Sequence, residues 1–359
     1  LSDFEDFGID GRKPGTPPTL RPTVNEPRAP SRVLPRLDTA SILGGSILWV
    51  AWGLGLAATD WMATRVFATI EWLTLLGPLV VVPLGLPLLR AGSGATPVAS
   101  DEDARPRALL VRALPLGAAC ALASMVVDDG PAATGLAGGW ALVTWLVARQ
   151  GIQRLRSRTP RGLPERCADM ASAYLFVGGV TWVVARSGAR PFGLTEPIVT
   201  LATTHFHFAG FALLAATAEV GRRLGASHGT VAGPVRTAWV IGAWLVLVSP
   251  AFVALGITAS PPLEVLASCA LATGGFIVGL SMAFVVTPRI PRLWPAAFVA
   301  AGGLALCVGM GAAAVFAVGQ HTGDHGPSTA TMVPLHAVPN ALFFGLGGLL
   351  GLRWARTDP

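Results

Sequence analysis

Long apolar runs separated by short polar loops recur along almost the whole chain. With a requirement of about 20 apolar residues per membrane span, the pattern predicts ten helices. They fall at residues 38–57, 66–88, 108–127, 132–148, 167–185, 197–218, 236–256, 262–285, 295–318 and 332–353. The expected fold is all-α, a polytopic transmembrane helical bundle of about ten spans occupying residues 38–356. Residues 1–37 are different: prolines, glycines and charges of both signs occur there without apolar periodicity, which predicts a disordered cytoplasmic arm. A cleavable signal would need a basic stretch followed directly by a short apolar core, so the first apolar run is expected to be a retained span.

Loop charges orient the bundle, because Lys and Arg accumulate on the cytoplasmic side of alternate loops. Arginines precede the first run and follow the second, fourth, sixth, eighth and tenth, from Arg90 through Arg154, Arg222 and Arg289 to Arg356. The opposite loops hold Asp60 with Arg65, Asp128 with Asp129, Arg186 with Arg190, and two stretches without arginine. Both termini are therefore expected to be cytoplasmic, in a multi-pass protein of a bacterial plasma membrane. Trp49, Trp52, Trp61 and Trp72 crowd the first helical pair, where an aromatic belt would place interfacial anchors.

Composition excludes several classes. A chain of 359 residues that is 52% hydrophobic and 13% charged, with mean hydropathy +0.59, is too apolar for an ordinary soluble domain. Its net charge of +6 comes from loop arginines that report topology, so no nucleic-acid partner is expected. Cys120, Cys167, Cys269 and Cys307 form no CxxC pair and read as small buried hydrophobes. No glycine-rich loop carries the lysine and hydroxyl that cradle nucleotide phosphates, which argues against an ATPase.

Ionisable groups inside apolar runs are costly and are the first place to look for function. The sharpest stretch is Thr203-Thr204-His205-Phe206-His207-Phe208-Ala209-Gly210-Phe211. At 1.5 Å per residue, His205 and His207 would lie about 12 to 15 Å below the outer boundary, Glu71 about 8 Å and His336 with Asn340 about 6 to 12 Å. The loop before the tenth helix adds His321, Asp324 and His325. Residues two apart are about 200° apart around a helix, so one of His205 and His207 is expected to cooperate with His336 and Glu71 while the other bridges to a neighbouring helix. Pro339 should loosen the helix between His336 and Asn340.

Three chemistries suit this set. A divalent metal ion could be held by several of His205, His207, His321, His325 and His336, with Glu71 or Asp324. Metal-free acid/base work would use Glu71 and an adjacent histidine. Recognition of a polar or anionic ligand would use Thr203, Thr204, Asp324 and the imidazoles. Inert histidines that only lock helices together are the structural alternative.

The stretch His205 to Phe211, Glu71-Trp72 followed by Pro83-Leu84-Gly85-Leu86, and Met332 through His336 and Asn340-Ala341 to Phe344-Gly345 together resemble the YndJ-like family of bacterial integral membrane proteins. The likeness runs over residues 40–353; Ala337 and Phe344 stand where glycine or another small choice is expected. The resemblance implies membrane location and a helical fold, and carries Glu71, His205, His207, His336 and Asn340 over as the site. The resulting expectation is a membrane-embedded enzyme in which Glu71 is the acid or base, His205 and His207 orient it or bind metal, and His336 with Asn340 fixes a lipophilic substrate. Membrane lipids are the expected surroundings. The alternatives are a secondary transporter, which should show broken helices near the midplane, and a structural membrane protein.

Overall fold

In an apolar surrounding every backbone carbonyl needs a donor, and the prolines of this chain decide where that need is hardest to meet. The computed structural model describes residues 33–58, 65–90, 101–156, 162–226, 233–323 and 326–356. Among them, ten helices are long and apolar enough to cross a membrane: α1 (Thr39–Leu56), α2 (Val66–Leu89), α3 (Ala108–Val126), α4 (Pro131–Arg156), α5 (Leu163–Arg186), α6 (Ile198–Ala226), α7 (Gly233–Ala259), α8 (Pro261–Arg289), α9 (Leu293–Thr322) and α10 (Thr329–Trp354). The described residues contain no strand. Most of the expected N-terminal arm lies outside the described residues, as does Trp61; from Val33 the chain is already helical and runs on into α1.

Sequential helices pack as neighbours from α3 to α6 and from α7 to α10, while α2 reaches across the sequence to both α6 and α10. Of the apolar stretch of α2, 83% is buried in the bundle, against 11% for α1. The second span is thus central and the first peripheral. The two are clasped by Trp49 and Trp72, whose rings stack with centroids 4.2 Å apart. Each indole N–H donates to the other residue's carbonyl, at 2.8 Å from Trp49 and 3.3 Å from Trp72. These two tryptophans were expected to anchor the interface, but they tie two helices together.

Four helices depart from α geometry. π-helical stretches occupy Gly77–Val81 in α2, Phe206–Ala212 in α6, Ser281–Val286 in α8, and both Val333–Ala337 and Pro339–Gly348 in α10. In α2 and α10 the cause is local: Pro78, Pro83, Pro334 and Pro339 lack the N–H that would bond four residues back. In α8 the Thr287 hydroxyl donates to the Met282 carbonyl, five residues back, at 2.9 Å. The π-helical stretches of α2, α6 and α10 pack against one another in the centre of the bundle.

The carbonyls at the proline-rich end of α2 meet other helices. Pro83 frees Leu79 O, and Gly45 of α1 lies so close to that oxygen that a Cβ there would collide with it. Pro87 frees Pro83 O, which accepts from Arg353 at 3.1 Å. Arg356 donates to Pro87 O at 2.6 Å and Arg90 O at 2.7 Å, and Arg222 to Leu88 O at 2.6 Å. Glu219, with its side chain 4% exposed, holds this arginine group together through Arg223 at 2.9 Å, Arg356 at 3.0 Å and Arg222 at 3.6 Å. Burial pushes the Arg356 pKa below its ordinary value, with the Glu219 carboxylate opposing the shift. At the opposite end of the bundle Arg186 pairs with Asp129 at 2.8 Å and donates to Ser124 O and Val127 O, which fastens α5 to the α3–α4 turn.

Replacing Gly45 with valine should drive a side chain into the Leu79 carbonyl and force α1 away from α2. The expected loss is about 1 to 3 kcal/mol, read as a lowered unfolding temperature of the detergent-purified chain; an unchanged transition would show that α1 does not contribute to closing α2.

Candidate functional site

Helix α6 carries both histidines of the apolar run. It is α-helical from Ile198 to His205 and π-helical from Phe206 to Ala212 before returning to α geometry. Gly210 sits in the widened turn, where a Cβ would come within 2.8 Å of Tyr174 on α5. His205 lies at the entry to this stretch and His207 inside it, so their side chains leave the helix in different directions.

His207 is fully buried. Its Nδ1 is 2.8 Å from the Thr203 carbonyl. A carbonyl only accepts, so the ring proton sits on Nδ1 and Nε2 keeps a lone pair. That lone pair accepts the Trp140 indole N–H at 2.9 Å. Trp140 lies nearly parallel to the imidazole with centroids 5.8 Å apart, and Trp182 meets it edge-on at 5.8 Å. Glycines complete the pocket: a Cβ on Gly178 would stand 2.9 Å from the ring and one on Gly77 3.1 Å. Both nitrogens of His207 are therefore spent within the bundle, and the residue joins α6 to α4 with nothing left over for a metal or substrate.

His205 faces the other way and is exposed on its helix. Its Nδ1 bonds the Leu201 carbonyl at 2.7 Å, which fixes the same Nδ1–H tautomer. His336 of α10 lies opposite, ring centroids 6.3 Å apart and planes inclined by 22°. The Nδ1 of His336 is 2.8 Å from the Gly309 carbonyl on α9, so its proton is also committed to backbone. Neither Nε2 makes a hydrogen bond among the described residues. Asn340, one turn on, is buried with its side-chain amide 3.2 Å from His336 Nδ1; since that nitrogen already carries a proton, only the amide oxygen can pair with it. Its amide lies flat on Gly309, where a Cβ would come within 2.5 Å of it.

The remaining expected site residues fall elsewhere. Glu71 is half-buried, and the charged groups that reach it are Arg186, Asp129 and Glu196. Neither the His205/His336 pair nor His207 is among its partners. No hydrogen bond, ion pair or ring contact joins Glu71 to His207 or His336 among the described residues. Thr204 donates to Thr200 O at 3.1 Å and lies 2.5 Å from the Thr74 hydroxyl of α2, while buried Thr203 turns its hydroxyl back toward Val199 O at 3.5 Å. His321 is exposed near the end of α9; Asp324 and His325 lie outside the described residues. Among the described residues no group of three or more His, Cys, Asp or Glu is placed to hold a metal ion, and all four cysteines are free.

Trp140, Trp182 and Gly309 were not singled out from the sequence. A tryptophan well inside an apolar run, away from either interface, is a signal for a buried hydrogen-bond acceptor; Trp140 carries it, whereas Trp182 lies four residues from the end of α5. Gly309 had no such mark, since only the crossing of α9 over α10 makes its carbonyl a histidine partner.

Ten apolar helices with polar groups paired inside the bundle define a multi-pass membrane protein. The chain belongs to the YndJ-like protein family, whose model matches residues 72–344. That range contains His205, His207, His336 and Asn340, and begins one residue after Glu71. No curated relative and no solved structure matches the chain.

The two α6 histidines should respond oppositely to truncation. His207→Ala strands the Trp140 N–H in an apolar pocket, at a cost of about 1 to 3 kcal/mol, whereas His205→Ala removes no side-chain partner. Thermal unfolding of the two purified variants should show a clear drop for the first and little for the second; equal drops would mean that His207 is not the lock described.

Proposed function

We propose that this membrane protein is an enzyme acting on a lipophilic substrate at the His205/His336 pair. The observation that carries the reading is the pair of unbonded Nε2 atoms, held in a fixed tautomer on two different spans. A neutral imidazole of this form accepts at Nε2. It suits a substrate that brings a hydroxyl or an acidic C–H, and it repels a bare anion, so recognition of an anionic ligand is the weakest of the expected chemistries. Exposure of His205 on its helix supports entry from the lipid side.

Within this reading one neutral imidazole removes a proton at Nε2, and the imidazolium so formed returns that proton to another atom of the reacting molecule. Isomerisation, cyclisation or hydrolysis of a lipid-like molecule all fit that sequence. Glu71 takes no direct part, and Asn340 keeps His336 in place. The site opens toward the end of the bundle opposite the arginine group, the outer leaflet of a bacterial plasma membrane if the loop charges set the orientation.

A second reading, a secondary transporter, is favoured by one feature: the π-helical interruptions of α2, α6 and α10 meet at the centre, as interrupted helices do around the sites of carriers.

Proteoliposomes made with a bacterial lipid extract, compared by mass spectrometry with and without the chain, separate the two. Conversion of one lipid species is expected, reduced about 10²-fold or more by His205→Gln or His336→Gln and little changed by Glu71→Gln. Full conversion by both histidine variants would overturn the assignment of the pair. Uptake of a solute without any new product would favour the carrier.

A further inference from the structure

We infer that α3 and α4 together bind one anionic phospholipid at the arginine end of the bundle, its phosphate held between Arg112 and Arg149 and an acyl chain laid along Leu116 and Leu142. The inference is independent of the His205/His336 reading.

Three observations carry it. First, the two arginines stand at the same height. The antiparallel helices touch where a Cβ on Gly117 would meet Val143 at 2.4 Å and one on Gly139 would meet Cys120 at 2.8 Å. Continued from Gly117 toward the start of α3, this register brings Arg112 level with residue 148, next to Arg149. Second, they point the same way. At about 100° per residue, Arg112 is turned about 140° from Gly117 and Arg149 about 120° from Val143, in the same sense along the chain. Because the helices run in opposite directions, both turns lead to one side of the pair. That side faces lipid: both arginines are exposed, as are Leu116, at 70%, and Leu142, at 60%. Third, neither guanidinium has an ion pair or hydrogen bond among the described residues. Arginines turned toward other helices at this end are spent, Arg154 on Asp169 at 2.6 Å and Arg222 on Glu165 at 2.8 Å.

An arginine is costly in hydrocarbon unless its head reaches the interface or a counter-charge. Arg112 lies four residues inside the apolar stretch that begins at Ala108, and Arg149 seven residues from the end of α4 at Arg156. Those depths are about 6 and 10 Å by helical rise. From there both side chains stretch toward the headgroups, where a phosphodiester accepts from each through paired N–H groups. Exposed Arg156, two turns further out on the same side of α4, adds to the positive field and selects a headgroup without an amine. Toward the bilayer centre the surface continues as Leu116 and Leu142, which suits an acyl chain and offers nothing to a soluble phosphate. If the loop charges set the orientation, this is the cytoplasmic leaflet, where anionic lipids collect at basic sites between spans.

The test uses the full-length chain in detergent, mixed with equal amounts of phosphatidylglycerol and phosphatidylcholine of the same acyl chains and read by native mass spectrometry. One phosphatidylglycerol per chain is expected to survive collisional activation that strips phosphatidylcholine. Arg112→Gln and Arg149→Gln should each weaken its retention about five-fold, the factor equivalent to about 1 kcal/mol per arginine near an anionic surface, and the double variant should erase the preference. Arg236→Gln, exposed at the same end on α7, should leave it unchanged. If one single variant fails to give folded protein, the other carries the test. Equal retention of the two lipids, or a preference that survives the double variant, overturns the inference. So does displacement of the lipid by inorganic phosphate, which would mark the arginines as a site for the free ion.

Discussion

A carbonyl released by proline in an apolar bundle has no water to turn to, and the arrangement of the central helices follows from that. Helix α2 contains Pro78, Pro83 and Pro87 within ten residues, and each deletes a backbone donor. A span of this kind is unstable facing lipid and must be surrounded. Here α1 closes on Leu79 through the absence of a side chain at Gly45, while Arg222, Arg353 and Arg356 deliver guanidinium donors to Pro83, Pro87, Leu88 and Arg90. Glu219 balances those charges from below 5% exposure. An arginine group that could be read only as a marker of sidedness is therefore also the cap of the second span.

The same loosening of backbone geometry distributes function between two residues of one type. A π-helical stretch changes the direction in which successive side chains leave the helix, and in α6 it begins directly after His205 and contains His207. One imidazole is driven into a pocket of tryptophans and glycines, where it is fully paired. The other is left against a histidine of α10 with its Nε2 unbonded. Interhelical hydrogen bonds in membranes are worth about 0.6 kcal/mol on average and rarely more than 2, so His207 alone does not hold the bundle; its effect is to fix the rotation of α6, and with it the direction of His205.

Much of this was legible in the pattern of residues. Runs of apolar residues identify all ten helices, and the difference of two between His205 and His207 implies that they part company. The angular argument reaches the pairing of one of them with His336 and of the other with a neighbouring helix, but it does not say which goes where, because an ideal helix of 3.6 residues per turn has no π-helical insertion. Depth along the membrane normal was a poorer guide. Glu71 was expected at the level of the histidines, yet the charges that act on it are Arg186, Asp129 and Glu196, since equal depth does not constrain azimuth. Trp49 and Trp72 mislead for a related reason: an aromatic near a helix end can meet lipid headgroups or another helix, and only the partner's position distinguishes the two.

The caps on α2 have an implication for how the chain is assembled. Two of the backbone oxygens at its end, on Pro83 and Arg90, are satisfied by Arg353 and Arg356, which are synthesised about 270 positions later at ribosomal rates of about 5 to 20 residues per second. For that interval the second span has to keep those oxygens wet or against headgroups. The bundle is thus closed by its last turn, and nascent α2 must wait near the membrane surface for the tenth helix before it can be sealed in the middle.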